Sequence, residues 1–169
     1  MLLLKTKLNI PPLRSSHVHR TELIQKLGKL HDYKLALIVA SAGYGKTALV
    51  SEWVEQSHLL KVAWFSIDVG DNDPVRFWDY VIAAIQTVYP DIGEQTLTLL
   101  HEPHPLPVET ILSTLINELS ALPEWLILVL DDYHVIESSD IHFLLYNRLF
   151  LSRKRYCTIN FGVGRGVIG

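Results

Sequence analysis

The sequence has one cysteine, no excess of positive charge and no long apolar run, and each of these features excludes a class of protein. Its one cysteine, Cys157, has no partner for an internal disulfide, which favours a reducing cytoplasm as the compartment. The formal net charge of −3 gives no global attraction to nucleic acid or to an acidic membrane surface. No run approaches the roughly 18 apolar residues that a membrane span needs. The sequence therefore predicts no disulfide scaffold, no direct DNA binding and no membrane association.

The hydrophobic content is that of one folded unit. Of the 169 residues, 49% are hydrophobic and 20% are charged, which is enough to bury one sizeable core. Residues 162–169 are rich in glycine and are predicted to lack regular structure, and no internal repeat is present.

Apolar patterns predict strands that alternate with helices. The predicted strands are short and apolar and lie at 35–39, 62–67, 125–130 and 156–161. The predicted helices are amphipathic and lie near 21–30, from 46 onward, at 74–88, from 108 to 122 and at 141–151. Residues 89–107 are predicted to be an irregular connection with room for one short helix. This order predicts an α/β fold in which helices cover both faces of a parallel sheet, with ligands at the carboxyl ends of the strands.

Helical spacing and apolar runs also predict which side chains are buried. Leu23, Leu27 and Leu30 share one face of the first helix, and that face is predicted to pack inward. Glu52 and Glu55 are predicted to lie on the outer face of the second helix. Because residues 35–39 are apolar on both faces, they are predicted to form a fully buried strand.

Between the first strand and the second helix, residues 40–47 read Ala-Ser-Ala-Gly-Tyr-Gly-Lys-Thr, the pattern of a phosphate-binding (Walker A) loop. In such a loop, backbone N–H groups and a helix N-terminus converge on the β-phosphate, the lysine reaches the β/γ-phosphates, and the hydroxyl ligates Mg²⁺. The usual first glycine is Ala40, so the close backbone approach depends on Gly43 and Gly45. The predicted nucleotide contacts are Ala42, Gly43, Tyr44, Gly45, Lys46, Thr47 and Ala48.

Asp131 and Asp132 follow the apolar run at 125–130 and complete the predicted site. Asp131 is predicted to hold Mg²⁺ together with Thr47, as a Walker B carboxylate does, and Asp132 is the candidate base for an attacking water. The alternative is a chance helix start and a solvated strand end. The flanking strand and helix favour the nucleotide site, because loop and carboxylates each occur in the required context.

Other polar clusters are assigned to the surface. Residues 101–104 contain two histidines, but prolines prevent the helical register that would align metal ligands. His17 and His19 are interpreted as surface histidines. The basic residues at 148 and 153–155 are interpreted as a solvated helix end.

Several short segments together form a family pattern. They are Thr6-Lys7-Leu8 with Pro11-Pro12 and Arg14, Val18-x-Arg20, Ala40 to Thr47, Ala63-Trp64-x-Ser66-Ile67-Asp68, Asp71-Asn72-Asp73-Pro74 with Phe77-Trp78, and Leu130-Asp131-Asp132-Tyr133-His134.

These segments resemble the nucleotide-binding domain of the large MalT-like transcription regulators of the LuxR type, which are signal-transducing (STAND) ATPases. Alanine at the position of the first loop glycine is usual in that family. The resemblance implies ATP as the nucleotide, with Val18 and Arg20 near the adenine, and a switch in which nucleotide and inducer favour an oligomerising, DNA-binding form.

The resemblance ends near Leu145. The family continues to a sensor strand with Ser-Arg, a winged helix, a helical repeat region and a helix-turn-helix, and none is recognisable here. The sensor strand of the family lies between the strands of the loop and of the aspartate pair. We therefore expect a P-loop NTPase fold that is incomplete on that side, unless residues 156–161 fill the position.

We expect an N-terminal arm at 1–20, a P-loop ATP-binding domain at 21–145 and a divergent basic, Gly-rich tail at 146–169. On this interpretation the chain is a truncated or frame-shifted copy that binds ATP and Mg²⁺ and is at most a weak ATPase. It would self-associate only if the missing domains were present. A stand-alone P-loop enzyme such as a small kinase, or a non-functional remnant, are the alternatives.

Overall fold

A computed structural model describes residues 3–15, 17–29, 35–41, 43–57, 60–103, 106–150 and 156–162; for 148–150 and 156–162 the description covers the backbone. Four strands are present in this part of the chain: β1 (Leu35–Val39), β2 (Lys61–Ser66), β3 (Leu126–Asp131) and β4 (Tyr156–Gly162). The helices are α1 (Thr21–Leu27), α2 (Lys46–Gln56), α3 (Pro74–Gln86), α4 (Glu94–Leu100), α5 (Val108–Ser120) and α6 (Ser139–Leu144), and a π-helical turn at Leu145–Phe150 follows α6.

All four strands pair in parallel, in the order β1-β4-β3-β2. The predicted α/β architecture, with strands and helices alternating along the chain, is confirmed. β4 occupies the position between β1 and β3, which is the position expected for the sensor strand of the family. Leu35 of β1 pairs with Thr158, and Thr158 pairs in turn with Leu128 of β3. The middle of the sheet is therefore filled.

The core has two layers because alternate residues of a strand point to opposite faces. On β2, Ala63 and Phe65 join a large cluster with α3 and α5, whereas Val62 and Trp64 join a smaller cluster with α1 and α2. β3 is buried at every position. The helices thus cover both faces of the sheet, as a parallel sheet requires.

Helix α3 begins where its sequence predicts. The side chain of Asp73 accepts a hydrogen bond from the Arg76 backbone N–H at 2.8 Å, and Pro74 occupies the first turn. Phe77 and Trp78 on this helix are fully buried. Within the predicted irregular connection, residues 94–100 form α4, which is the expected short helix.

Several burial predictions are wrong. Leu23 is 38% exposed, so the inner face of α1 depends on Leu27. β1 is an edge strand of the described sheet, and Leu37 and Val39 are exposed, because no described helix covers that face beyond Leu35. Glu52 is buried rather than solvated. Leu30, the basic residues 153–155 and the Gly-rich residues 163–169 lie outside the described residues.

In the part of the chain that the structure describes, no helix is both long and apolar enough to cross a bilayer.

Candidate functional site

The loop between β1 and α2 depends on glycines in the left-handed region. Gly43 has φ 81° and Gly45 has φ 73°, conformations that strain residues with a Cβ. A Cβ on Gly43 would meet nothing within 4 Å, so the loop is open on that side. Tyr44 between them is 63% exposed. Ala42 lies outside the described residues.

The N-terminus of α2 presents free donors beside this loop. The first backbone N–H that the helix satisfies internally is that of Leu49, which donates to the Gly45 carbonyl at 3.0 Å. The preceding N–H groups, those of Lys46, Thr47 and Ala48, therefore point out of the helix end. Together with the helix dipole they form a partially positive surface that suits an anion.

Lys46 lies folded over the loop. Its Nζ donates to the carbonyls of Ala40 at 2.9 Å and Ser41 at 3.1 Å, and the residue is 9% exposed. Its ammonium group is thus held at the loop by neutral acceptors. An anion at the helix end would be a stronger partner for the same group.

Thr47 and Asp131 join the two halves of the predicted site. The Thr47 hydroxyl, Oγ1, lies 3.1 Å from both Oδ1 and Oδ2 of Asp131, at the end of β3. Burial raises the pKa of Asp131 to about 6, and the neighbouring charge of Asp132 adds to this, against the opposing effects of Thr47 and Lys46. A buried carboxylate of this kind is suited to binding a cation.

Asp132 differs from its neighbour in both exposure and backbone conformation. It has φ 58°, the only non-glycine positive φ among the described residues, and its side chain is 55% exposed. Its Oδ1 lies 3.7 Å from Nδ1 of His134. The left-handed conformation turns the chain sharply at the end of β3.

Arg20 is brought to the loop from the N-terminal side. Its Nη2 lies 3.6 Å from the point that a Cβ on Gly45 would occupy. Val18 is 74% exposed, and its predicted place near the adenine stays a prediction.

The structure thus brings Lys46, Thr47 and Asp131 together, with Arg20 at the same loop. Sequence reasoning missed the contact of His17 and His19 with Glu52. Its only signal was the His-x-His spacing, which places both rings on one side of an extended segment.

Two solved structures share this fold. Cdc6p from Pyrobaculum aerophilum superposes with a TM-score of 0.57 at 15% identity, over 96% of this chain and 43% of that one. A chain in the structure of Drosophila ORC bound to DNA gives 0.50 at 14% identity, over 95% and 42%. Fold and loop together define the chain as a P-loop NTPase domain.

The sequence is similar to the HTH-type transcriptional regulators MalT. It is 38% identical to that of Cronobacter sakazakii and 36% identical to those of two Klebsiella pneumoniae strains, over 141 residues in each case. The chain therefore belongs to the family of MalT-like regulators, as its motifs predicted. The match covers 83% of this chain but 15% of each relative. No family model matches the chain.

Proposed function

We infer that the chain is an ATP-binding regulatory switch domain of a MalT-like, LuxR-type transcription regulator. The observation that carries this proposal is the contact between Thr47, in the first turn of α2, and Asp131, which lies 84 positions later in the sequence. A hydroxyl and a carboxylate in this arrangement are the side chains from which P-loop proteins build their Mg²⁺ site.

The residues fit Mg-ATP. The open side of Gly43 and the outward N–H groups of Lys46, Thr47 and Ala48 would receive phosphate oxygens. Lys46 would exchange its two carbonyl acceptors for phosphate, and Thr47 with Asp131 would hold Mg²⁺. A Mg²⁺ ion held by Thr47 and Asp131 would neutralise phosphate charge. It would also offset the charge of Asp131, which burial makes unfavourable in the free protein.

Arg20 is proposed to contact the nucleotide, and Val18 to lie near the adenine. The position of the Arg20 guanidinium beside Gly45 supports the first assignment. The exposure of Val18 leaves an apolar side chain free to pack against a base.

Hydrolysis, where it occurs, is proposed to be slow. Asp132 is the candidate base, but its carboxylate is mostly exposed and its described ionic neighbour is His134 at 3.7 Å. A base that no buried partner holds in place positions water poorly. The chain would therefore act as a binding switch more than as a catalyst.

DNA binding is proposed to belong to other parts of the regulator. The net charge of −3 gives this chain no general attraction to a phosphate backbone. The curated relatives carry the words HTH-type in their names, and this chain spans 15% of their length. A cytoplasmic location follows from the same role.

Calorimetric titration of the chain with Mg-ATP tests the proposal. Lys46→Ala is expected to weaken binding at least about tenfold, because it removes the ammonium that faces the phosphates. Lys61→Ala, which removes an exposed lysine at the start of β2, the end of the strand away from the proposed site, is the matched control and should bind as the wild type does. Equal affinity of Lys46→Ala and wild type would contradict the site. Turnover that requires an added acceptor would instead favour a small kinase.

A further inference from the structure

A second cluster of ligating side chains lies between the N-terminal segment and α2. It consists of His17, His19 and Glu52, and one ligand atom of each lies within 4.8 Å of the other two. The two imidazole rings are 4.4 Å apart between centroids, at 67° to each other. None of these residues contributes to the proposed nucleotide site.

Among the described residues, the buried carboxylate of Glu52 has close donor groups on one oxygen and none on the other. Its side chain is 3% exposed. Oε1 contacts Nδ1 of His19 at 2.5 Å and accepts from Nε2 of Gln56 at 3.2 Å. Oε2 faces Nε2 of His17 at 3.8 Å, beyond hydrogen-bonding distance. A carboxylate so far removed from water needs a close positive partner, and His17 Nε2 at 3.8 Å is not one.

His17 has the tautomer and orientation of a metal ligand. Its Nδ1 lies 2.9 Å from the Arg14 carbonyl, and since a carbonyl can only accept, Nδ1 carries the proton. In the neutral ring the lone pair then resides on Nε2. That atom is buried and has no hydrogen-bond partner among the residues that the structure describes. An Nδ1–H bonded to a backbone carbonyl, with a bare Nε2, is the arrangement that holds metal-binding histidines in place.

We propose that His17 Nε2, His19 Nδ1 and Glu52 bind a zinc ion, with the fourth position open to water. Zinc bonds to such ligands are about 2.0–2.2 Å long, so a tetrahedral site sets ligand atoms about 3.3 Å apart. To reach that spacing, the 2.5 Å distance between His19 Nδ1 and Glu52 Oε1 would lengthen, and the 3.8 Å distance between His17 Nε2 and Glu52 Oε2 would shorten. Each change is less than about one ångström. Two imidazoles with one carboxylate favour zinc and its transition-metal neighbours over Mg²⁺ or Ca²⁺.

A zinc ion could reach the cluster from solvent on the His19 side, because the His19 side chain is 70% exposed, whereas Glu52 is buried. Its effect would be to fasten the segment around His19 to α2. Arg20 follows directly and lies against Gly45, so bound zinc would also fix the position of that guanidinium at the loop. The site itself does not depend on the proposed nucleotide function.

Calorimetric titration of the chain with zinc tests the proposal. An excess of Mg²⁺ in the buffer occupies sites that prefer hard cations. Wild type is expected to bind one equivalent, and His17→Gln and Glu52→Gln to lose at least about tenfold in affinity. His101→Gln is the matched control, because His101 also pairs with a buried carboxylate, Asp79, at 2.8 Å but has no third ligand there among the described residues. Unchanged zinc affinity in His17→Gln would overturn the site.

A measurement on the wild type alone covers the case in which a variant fails to fold. Co²⁺ titrated into the chain should give the intense visible absorption of a four-coordinate ion, at one equivalent and displaced by Zn²⁺. The weak absorption of a six-coordinate ion, or no saturable signal, would show that His19 and Glu52 form only an ion pair.

Discussion

Asp131 is buried, which disfavours its charge, yet its proposed role requires a charged carboxylate. Its pKa is raised from 3.8 to about 6, chiefly by burial, so the folded chain holds the proton more tightly than the unfolded chain does. The folded state is therefore favoured while this group is protonated. Stability from this group falls as pH rises from about 4 to about 6 and stays at the lower level above that range. The carboxylate proposed to hold Mg²⁺ thus destabilises the metal-free protein at neutral pH.

Asp131→Asn should stabilise the metal-free chain at pH 7.5. The neutral amide can still bond to Thr47 without the buried charge, and we expect a gain on the order of 2 kcal/mol. The gain should become small near pH 3, where the wild-type carboxyl is mostly protonated in both states. Thermal unfolding in EDTA at both pH values measures this.

The control for this prediction is Asp91→Asn, which changes an exposed carboxylate and should leave stability nearly unaltered at both pH values. A loss of stability at pH 7.5 in Asp131→Asn would mean that the ionised carboxylate is better satisfied than its burial indicates.

At the scale of elements, the N-terminal arm is fastened to the body by a buried cation. Lys7, in a 3-10 turn at Lys5–Leu8, is 8% exposed and its Nζ lies 2.5 Å from Oδ2 of the fully buried Asp71. The same Nζ lies 4.5 Å from the ring centroid of Tyr80, and Arg76 holds the other oxygen of Asp71 at 2.9 Å. Lys7 also lowers the pKa of Asp68 by its hydrogen bond.

Lys7→Ala should destabilise the chain by about 3 kcal/mol, because it leaves the buried Asp71 with one of its two cations. Lys5→Ala removes an exposed lysine of the same turn and should cost less than about 0.5 kcal/mol. Urea unfolding of both variants measures the difference. If the two variants unfold at the same urea concentration, the arm is not held by this ion pair.

Patterns in neighbouring residues predicted the helices and strands well. The burial predictions that are wrong concern side chains whose surroundings are set by segments distant in sequence. The start of α3 could be predicted from Asp73-Pro74, and β3 from its continuous apolar run, because both signals lie within a few consecutive residues. Nothing next to Glu52 indicates that His19, 33 positions earlier, covers it. The Thr47–Asp131 contact was foreseen only because both ends belong to recognisable motifs.

At the scale of the whole molecule, the sheet is continuous only through β4. Among the described strands, β1 pairs with β4 alone, and β4 pairs with β3. The phosphate loop follows β1, whereas Asp131 ends β3. The relative placement of the two halves of the site thus depends on a strand that carries neither of them.

Ile159→Pro should disrupt the sheet and with it the proposed nucleotide site. Ile159 pairs with Ala36 on one side and Val129 on the other, and proline cannot donate to a ladder in a central strand. We expect a loss of about 3 kcal/mol or more, together with loss of Mg-ATP binding. Circular dichroism melting and calorimetry measure the two effects.

Ile159→Val keeps the backbone donor and β-branched character and is the control, with a cost below about 1.5 kcal/mol. Wild-type melting of the proline variant would show that β4 is not a central strand.

The place of β4 also sets an order of events during synthesis on the ribosome. The phosphate loop is made early, but Leu35 must wait for Thr158 before β1 has a neighbour in the sheet. Pairing of such distant segments is slow, since a long loop must close first. If the proposed site binds ATP, a nascent chain should be unable to bind it until its last described strand has emerged, so that ATP binding would report completed folding of the sheet.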